Sequence, residues 1–482
     1  MSVAELHTIF HPRSIAVVGA SENHMSAGSL YLEHLITYGY KGEIFPINPK
    51  RAQVHGLQAY PSLAEVPGTV DYVICCIPGQ GVLDLLDDCS LKEVKCIHLF
   101  TGRFGETGNE QAAEMEQRIL KRARELGIRL LGPNCMGLYY PQENISYTYE
   151  LSRESGNVGV FFQSGGASIQ FIRYASLRGI RFSKAISYGN AIDVNETELL
   201  QYFAQDPETK VIACYIEGVR DGKKFLAALR EAASLKPVVV LKAGRGKAGT
   251  RAAASHTGAL AGSTETWGTA IKQAGAIQAQ SLEEMIDLVV GLCFLSPVLG
   301  RMAGVVGGGG GISVLSADTW EAAGFELAPL PVDIMEDIKG QLPEMWWNWI
   351  GNPVDVSMMP ESAWATGLVG ELLRKMAESP DYDIVVFNLT TDGPFAKDEM
   401  SAFLDGESAN IIKVSKECIK PVVAVMNTGV LSAEHLEDWR WKLLAEHQSR
   451  LVAAQVPVYS TIAQAASIMS RLANYYCNRA VE

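Results

Sequence analysis

The sequence has no basic run and no long apolar run. Its 482 residues carry 41 Lys and Arg against 54 Asp and Glu, a formal net charge of −13 at pH 7. This balance disfavours a phosphate backbone, so nucleic acid is not expected as a partner. No segment approaches the roughly 18 consecutive apolar residues of a membrane-spanning helix, and the N-terminal MSVAELHTIF lacks a signal-peptide pattern. We expect a soluble, cytoplasmic protein that does not associate with membranes.

Motifs for metal and nucleotide binding are also missing. The nine cysteines show neither CxxC nor CxxH spacing, so neither disulfides nor a zinc site is indicated, and no metal ligands are assigned. No GxxxxGK[ST] loop occurs, so the motif by which many proteins hold nucleotide phosphates is lacking.

Short β-branched runs alternate with amphipathic segments of helical length. SIAVVGA, DYVICCIP and IRLLGPN are typical of buried strands. Such alternation predicts an α/β fold with doubly wound parallel sheets. A segment rich in Tyr, Ser and Glu after Pro141 has little periodicity, and it predicts a linker that closes a first domain at residues 1–145.

The remainder of the chain contains an internal repeat. Residues 189–218 resemble a segment that begins at 351, and KPVVVLKAG (236–244) resembles KPVVAVMNTG (420–429). The repeat predicts two further domains of one type, at residues 150–298 and 299–482.

One copy of the repeat carries an extra histidine segment, AAASHTGALAGS at residues 252–263. The small residues around His256 would let a phosphate-sized group approach the ring and the backbone N–H groups. A loop found in only one copy of a duplicated scaffold suggests chemistry. The alternative is a solvated histidine on a surface loop.

Two further features of this domain complement the histidine. GVFFQSGGAS is an apolar strand that runs through Ser164, Gly165 and Gly166 into a helix, whose N-terminus would hold an anion. Glu217 ends another strand and could orient the ring of His256. The alternatives are a tight turn for the glycines and a solvated strand end for Glu217.

The first domain has its own candidate anion site. SIAVVGAS is a strand followed by a Gly19-Ala20-Ser21 turn without the full GxGxxG pattern, which weakens nicotinamide binding. Lys50 follows the second strand where dinucleotide-binding proteins usually carry Asp or Glu. A cation there favours a phosphorylated ribose, as in NADP or CoA. Later strand ends, including CCIPGQ and LFTGRF, would surround the same sheet edge.

These motifs resemble a known family over essentially the whole chain. GRGKAGTRAAASHTGALAG, GPNCMG and NPVDV look like those of the α subunit of NDP-forming acyl-CoA synthetases, relatives of the succinyl-CoA synthetase α subunit. The resemblance implies a Rossmann-like CoA-binding domain followed by two flavodoxin-like doubly wound domains.

The resemblance also implies roles for individual residues. His256 would be phosphorylated during turnover, Glu217 would stabilise the phosphohistidine, and Ser164, Gly165 and Gly166 would bind phosphate. Asn190 is a further candidate on the phosphate and substrate side. The candidate CoA contacts are Gly19, Ser21, Lys50, Pro78, Thr101, Gly102 and Arg103.

The implied reaction interconverts acyl-CoA, phosphate and ADP with a carboxylic acid, CoA and ATP, through an acyl phosphate and phosphohistidine. ATP or ADP and Mg²⁺ would bind mainly to an ATP-grasp β subunit, in an α2β2 assembly. Two alternatives are a non-catalytic CoA-binding protein and an NADP-dependent oxidoreductase, the latter disfavoured by the incomplete glycine pattern.

Overall fold

A computed structural model describes residues 3–249, 251, 264–357, 359, 367–391, 395–426 and 437–480. Their strands form three mainly parallel sheets with helices between them, as the sequence predicts for an α/β fold. The chain divides into two compact units, residues 1–286 and 287–482. In the part of the chain that the structure describes, no helix is both long and apolar enough to cross a bilayer.

The first sheet has five parallel strands in the order β2-β1-β5-β6-β7. All five residues of β1 are buried, as expected for a parallel strand covered on both faces. The strands are β1 (Ser14–Val18), β2 (Glu43–Ile47), β5 (Tyr72–Cys75), β6 (Cys96–Leu99) and β7 (Arg129–Leu131), with a hairpin of β3 (Gln53–Val54) and β4 (Leu57–Gln58). The helices are α1 (Val3–Phe10), α2 (Ala27–Tyr38), α3 (Val82–Leu91) and α4 (Glu110–Glu125).

The second sheet has six strands in the order β13-β12-β11-β9-β10-β8, and only the edge strand β8 is antiparallel to its neighbour. The strands are β8 (Gly137–Tyr139), β9 (Ser155–Phe162), β10 (Phe182–Ser187), β11 (Val211–Ile216), β12 (Val238–Lys242) and β13 (Ile277–Ala279). The helices are α5 (Gly165–Leu177), α6 (Glu196–Gln205), α7 (Gly222–Leu235), α8 (Thr264–Gln273) and α9 (Leu282–Phe294).

The third sheet has four parallel strands in the order β14-β15-β16-β17. They are β14 (Ala303–Gly307), β15 (Ile384–Leu389), β16 (Val422–Met426) and β17 (Val458–Tyr459). The helices are α10 (Gly310–Ala322), α11 (Val332–Gln341), α12 (Leu368–Glu378), α13 (Lys397–Glu417), α14 (Trp439–Ala453) and α15 (Ile462–Ala480). Val385 of β15, Leu372 of α12 and Leu404 of α13 belong to the same buried apolar cluster.

The turn between β1 and α2 requires glycine at both ends. Gly19 has a φ of +90°, a conformation that other residues adopt rarely. A Cβ atom on Gly28 would lie 2.0 Å from the carbonyl oxygen of Gly19, so only glycine lets the helix begin this close to the strand. The eight residues between them therefore form a loop with closely apposed ends.

The predicted domain boundaries near residues 145 and 298 stay predictions. Strand β8 precedes residue 145, yet its three residues pair with Ala185, Ile186 and Ser187 of β10 in the second sheet. This pairing joins segments distant in sequence, which a periodicity pattern does not register. The division between the two compact units falls after Ile286, within α9.

Candidate functional site

The candidate residues of the second sheet lie at the carboxyl ends of its parallel strands. Phe162, the last residue of β9, pairs with Tyr215 of β11. Ser164 lies two residues after Phe162, and Glu217 lies two residues after Tyr215. Since parallel strands end at the same edge, the start of α5 and the Glu217 carboxylate share one edge of the sheet. This is the arrangement that the sequence predicts.

Glu217 is buried, with 6% of its surface exposed. Its backbone N–H donates to Oε1 of Gln163, which also accepts from the N–H of Gly218 at 3.0 Å. The Tyr215 hydroxyl donates to Glu217 Oε1 at 3.3 Å. Glu217 is therefore held in place by its neighbours rather than solvated as an ordinary strand end.

The predicted anion site is the N-terminus of α5. The Ser164 hydroxyl accepts from the N–H of Ala167 at 3.3 Å and caps the helix. A Cβ atom on Gly165 would lie 2.6 Å from Cγ of Met136, whereas one on Gly166 would meet nothing within 4 Å. The helix start therefore packs closely on one side and is open beside Gly166, with the N–H groups and dipole of a helix N-terminus available.

Lys242, the last residue of β12, is a further ionisable group at this edge. It is 1% exposed, and its ammonium donates to the backbone oxygens of Glu217, at 2.7 Å, and of Ala243. Burial lowers the pKa of Lys242, which the Glu217 carboxylate partly offsets. A cavity of about 590 Å³ lies beside it, lined also by Ala167, Tyr215 and Arg245.

His256 lies outside the described residues, as does the rest of the segment 252–263. The described chain leads towards that segment from β12 through Gly244 and Arg245, which line the cavity beside Lys242. The role of His256 stays a prediction.

The first sheet places Lys50 near the turn that follows β1. Asn48 Nδ2 donates to the carbonyl of Ala20 at 2.8 Å, and Asn48 Oδ1 accepts from the N–H of Lys50 at 2.8 Å. The side chain of Lys50 is exposed. Asn48 thereby joins the two segments that carry Gly19, Ser21 and Lys50, although the contacts of these residues with a ligand stay predictions.

The other predicted CoA contacts follow β5 and β6. Pro78 is exposed after β5, and the Thr101 hydroxyl donates to the Ile77 carbonyl at 2.5 Å. Gly102 and Arg103 follow, and Arg103 has a φ of +71°. The loop ends of β5 and β6 are thus adjacent, as the strand-end pattern predicts.

Asn190 follows β10, but its side chain contacts Glu106 in the loop that follows β6. Its Nδ2 donates to Oε2 of Glu106 at 2.8 Å. The other oxygen of Glu106 accepts from the N–H of Arg103 at 2.5 Å. Asn190 therefore fixes the loop of the predicted CoA contacts, and its assignment to the substrate side stays a prediction.

Sequence reasoning gave no role to three of these residues: the side chains of Gln163 and Glu106, and the buried Lys242. A lysine at the end of the apolar run VVVLK was a usable signal, because charged residues are rarely buried without partners. The bonds of Gln163 and Glu106 join distant segments and leave no local pattern.

Two sequence families match this chain. The family described as the CoA binding domain matches residues 13–141, and the succinyl-CoA ligase like flavodoxin domain matches residues 155–292. These matches confirm the expected domain types for the first two sheets.

Relatives extend the likeness to most of the chain. The α subunit of ADP-forming acetate–CoA ligase II from Pyrococcus furiosus is 34% identical over 90% of this chain and 92% of its own length. A 4-hydroxybutyrate–CoA ligase (ADP-forming) from Nitrosopumilus maritimus is 30% identical over 93% of this chain, but only 63% of that longer protein is matched.

A solved structure agrees with these relatives. The dinucleotide forming acetyl-coenzyme A synthetase 1 of Ca. Korarchaeum cryptofilum, in complex with phosphate and ADP, superposes with a TM-score of 0.84 at 32% identity and covers 99% of both chains. The chain belongs to the family of ADP-forming acetate–CoA ligase α subunits.

Proposed function

We propose that this chain is the α subunit of an acid–CoA ligase that interconverts acyl-CoA, phosphate and ADP with a carboxylic acid, CoA and ATP. The observation that carries the proposal is that the start of α5 and the buried Glu217 carboxylate follow neighbouring strands at one edge of the second sheet. A helix N-terminus holds phosphate, and a carboxylate supports a histidine that carries a phosphoryl group.

The first step forms an acyl phosphate. Phosphate held by the N–H groups at Gly165 and Gly166 attacks the thioester carbonyl carbon, a C–O bond forms, and the C–S bond breaks. The CoA thiolate leaves and takes up a proton. Fixed backbone dipoles suit this step because they stabilise negative charge without reorganising.

The second step transfers the phosphoryl group to His256. An unprotonated ring nitrogen attacks phosphorus, the bond between phosphorus and the acyl oxygen breaks, and the carboxylate leaves. Glu217 accepts a hydrogen bond from the other ring nitrogen, which selects the reactive tautomer and stabilises the cationic ring. Gln163 and Lys242 position Glu217 through its backbone N–H and carbonyl.

The third step passes the phosphoryl group to ADP on a partner, and we assign nucleotide and Mg²⁺ to an ATP-grasp β subunit in an α2β2 assembly. The α-subunit designation of the Pyrococcus relative supports a separate partner. The Nitrosopumilus relative extends beyond its match to this chain, with room for such a unit.

CoA is proposed to bind the edge of the first sheet, with Gly19, Ser21, Lys50, Pro78, Thr101, Gly102 and Arg103 around it. The exposed Lys50 ammonium would attract the 3′-phosphate. CoA should therefore bind more tightly than dephospho-CoA in calorimetry, and Lys50→Glu should remove that difference. Equal affinities for the wild-type chain would exclude Lys50 from this role.

The reaction is tested on the full chain with acetyl-CoA or 4-hydroxybutyryl-CoA and labelled phosphate. We expect at most one acid-labile phosphoryl group per chain by intact mass, lost in His256→Ala and kept in the control His7→Gln, which removes an exposed histidine. Label that persists in His256→Ala would place the carrier elsewhere. Sustained ATP synthesis from ADP by the isolated chain would contradict the partner subunit.

A further inference from the structure

Two histidines and a glutamate meet beside the turn that follows β1, and the proposed reaction uses none of them. His24 lies in the loop before α2, Glu33 lies within α2, and His55 lies at the tip of the β3–β4 hairpin. One nitrogen or oxygen atom of each lies within 4.8 Å of the others.

His55 is held in place by its backbone and by its ring. Its φ of +49° lies in the left-handed region, where the first residue of a two-residue hairpin turn is usually Asn, Asp or Gly. Its N–H donates to the Glu22 carboxylate at 2.8 Å, and its ring Nε2 lies 3.0 Å from the Ser21 carbonyl oxygen and 2.7 Å from Ser29 Oγ. The imidazole therefore has a fixed position at an unusual residue for this turn.

Glu33 is oriented by hydrogen bonds on both of its oxygens. Oε2 accepts from the Tyr149 hydroxyl at 2.5 Å, and Oε1 accepts from Ser29 Oγ at 3.1 Å and from His24 Nδ1 at 2.5 Å. The Glu33 carboxylate thus points Oε1 towards both histidines.

We propose that His24 Nδ1, Glu33 Oε1 and His55 Nε2 bind one divalent transition-metal ion, with Zn²⁺ the best match to the donors. Two imidazoles and one carboxylate form a three-ligand set that Zn²⁺ accepts, with a fourth position left for water. The hydrogen bonds of Tyr149 and Ser29 to the carboxylate supply the outer contacts that orient metal ligands.

The separation of His55 and Glu33 already suits a tetrahedral ion, whereas His24 has to move. Ligand bonds of about 2.0 to 2.1 Å place neighbouring ligand atoms about 3.3 Å apart. His55 Nε2 and Glu33 Oε1 are already 3.4 Å apart. His24 Nδ1 must move outward from its 2.5 Å hydrogen bond with Glu33, which it can do because its side chain is 75% exposed.

The ion would take the place of contacts that now lie within the cluster. His24 Nδ1 lies 2.5 Å from Glu33 Oε1, and His55 Nε2 lies 3.0 Å from the Ser21 carbonyl oxygen. The ion would then join the loop before α2, the helix itself and the β3–β4 hairpin.

The test is a titration of the full chain with Zn²⁺ by calorimetry and with Co²⁺ by visible absorption. We expect one site whose affinity falls about tenfold or more in His24→Gln and in Glu33→Gln, since each loses one of three ligands. Tyr149→Phe should weaken binding by a smaller factor. The matched control, His7→Gln, should leave binding unchanged, because His7 is an exposed histidine on α1.

His24→Gln is the decisive variant because the exposed side chain contributes little packing. Its fold is checked by circular dichroism. Equal Zn²⁺ affinities for the wild-type chain and folded His24→Gln, or a loss of the site in His7→Gln, would overturn the proposal. Neither result bears on phosphorylation of His256, so the proposed function is tested separately.

Discussion

The second and third sheets share one plan but differ where their strands end. In both, the first helix begins three residues after its strand: β9 ends at Phe162 and β14 ends at Gly307. Phe162 pairs with Tyr215, and Gly307 pairs with Asn388. Glu217 lies two residues after Tyr215 in the second sheet, and Thr390 lies two residues after Asn388 in the third.

The turn from strand to helix depends on a side-chain cap in the second sheet and on glycine backbone conformation in the third. Ser164 caps α5 with its hydroxyl, whereas Gly309 offers α10 no side-chain cap. Gly307 has a φ of +99°, and a Cβ there would lie 2.4 Å from the Asn388 carbonyl oxygen. The repeat therefore keeps the scaffold, while the proposed phosphohistidine chemistry rests on the side chains of one copy.

The largest expected effect is on the rate of His256 phosphorylation, which should depend on Glu217 but not on its counterpart Thr390. Glu217→Gln keeps an oxygen acceptor but loses the charge that stabilises a cationic ring. Phosphorylation of His256 should slow by about 10²- to 10³-fold, the cost of removing one electrostatic stabiliser. Quenched-flow labelling measures the rate, and CoA affinity should stay unchanged.

Thr390→Val is the matched variant in the third sheet. Because Thr390 carries no charge to supply, its replacement should leave the rate within about twofold. Equal losses in the two variants would show that both copies support the same step and would end the proposed division between them.

Gly307→Ala should cause the next largest effect, on stability. The new methyl group meets the Asn388 carbonyl oxygen, and the positive φ disfavours alanine. We expect a loss of about 2 to 4 kcal/mol in the free energy of unfolding of the second unit, measured by urea denaturation. Gly311→Ala, where a Cβ meets nothing within 4 Å, should not lower the stability and should raise it by up to about 1 kcal/mol through helix propensity.

Gln163→Ala tests whether side chains organise the edge of the second sheet. It removes the acceptor shared by the N–H groups of Glu217 and Gly218. Because two buried N–H groups lose this acceptor, the free energy of unfolding of the first unit should fall by about 1 to 3 kcal/mol. Gln205→Ala, an exposed glutamine on α6, is the control, and equal stability of the two variants would contradict this role.

The two units should also differ in how their stability depends on pH. Burial raises the pKa of Glu407 in α13 from 4.5 to about 7, so the second unit gains stability from protonating Glu407 as the pH falls from about 7 to 4.5. Burial lowers the pKa of His98 in β6 from 6.5 to about 4, so the first unit loses stability as the pH falls from about 6.5 to 4.

Hydrogen exchange of α13 and β6 measures the two responses separately. The lowered pKa of His447 opposes that of Glu407 in the second unit, so Glu407→Gln isolates the carboxyl contribution. In that variant the second unit should no longer gain stability from protonation at position 407 as the pH falls. An unchanged pH dependence of α13 would exclude Glu407 as its source.

The sequence was most informative where structure depends on local pattern. The run SIAVV predicted a strand of a doubly wound sheet, and the strand-end glycines predicted the start of α5. The end of the apolar run VIACYI predicted Glu217 at a strand end, and in the structure it follows β11.

Contacts between segments that are distant in sequence could not be predicted from local pattern. The pairing of β8 with β10, the bond from Asn190 to Glu106, and the two donors that Gln163 accepts all depend on tertiary packing. Such side-chain contacts have no period and no fixed spacing, so neither helix nor strand patterns report them.

Strand β8 has a consequence for how this protein can be divided or recombined. A gene fragment cut at residue 145 would remove β8 from the sheet that it completes and leave β10 as an open edge, a surface prone to intermolecular pairing. A cut at residue 136 would instead leave β8 with β10. A fragment that begins at Gly137 should therefore stay monomeric, whereas one that begins after Tyr139 should aggregate.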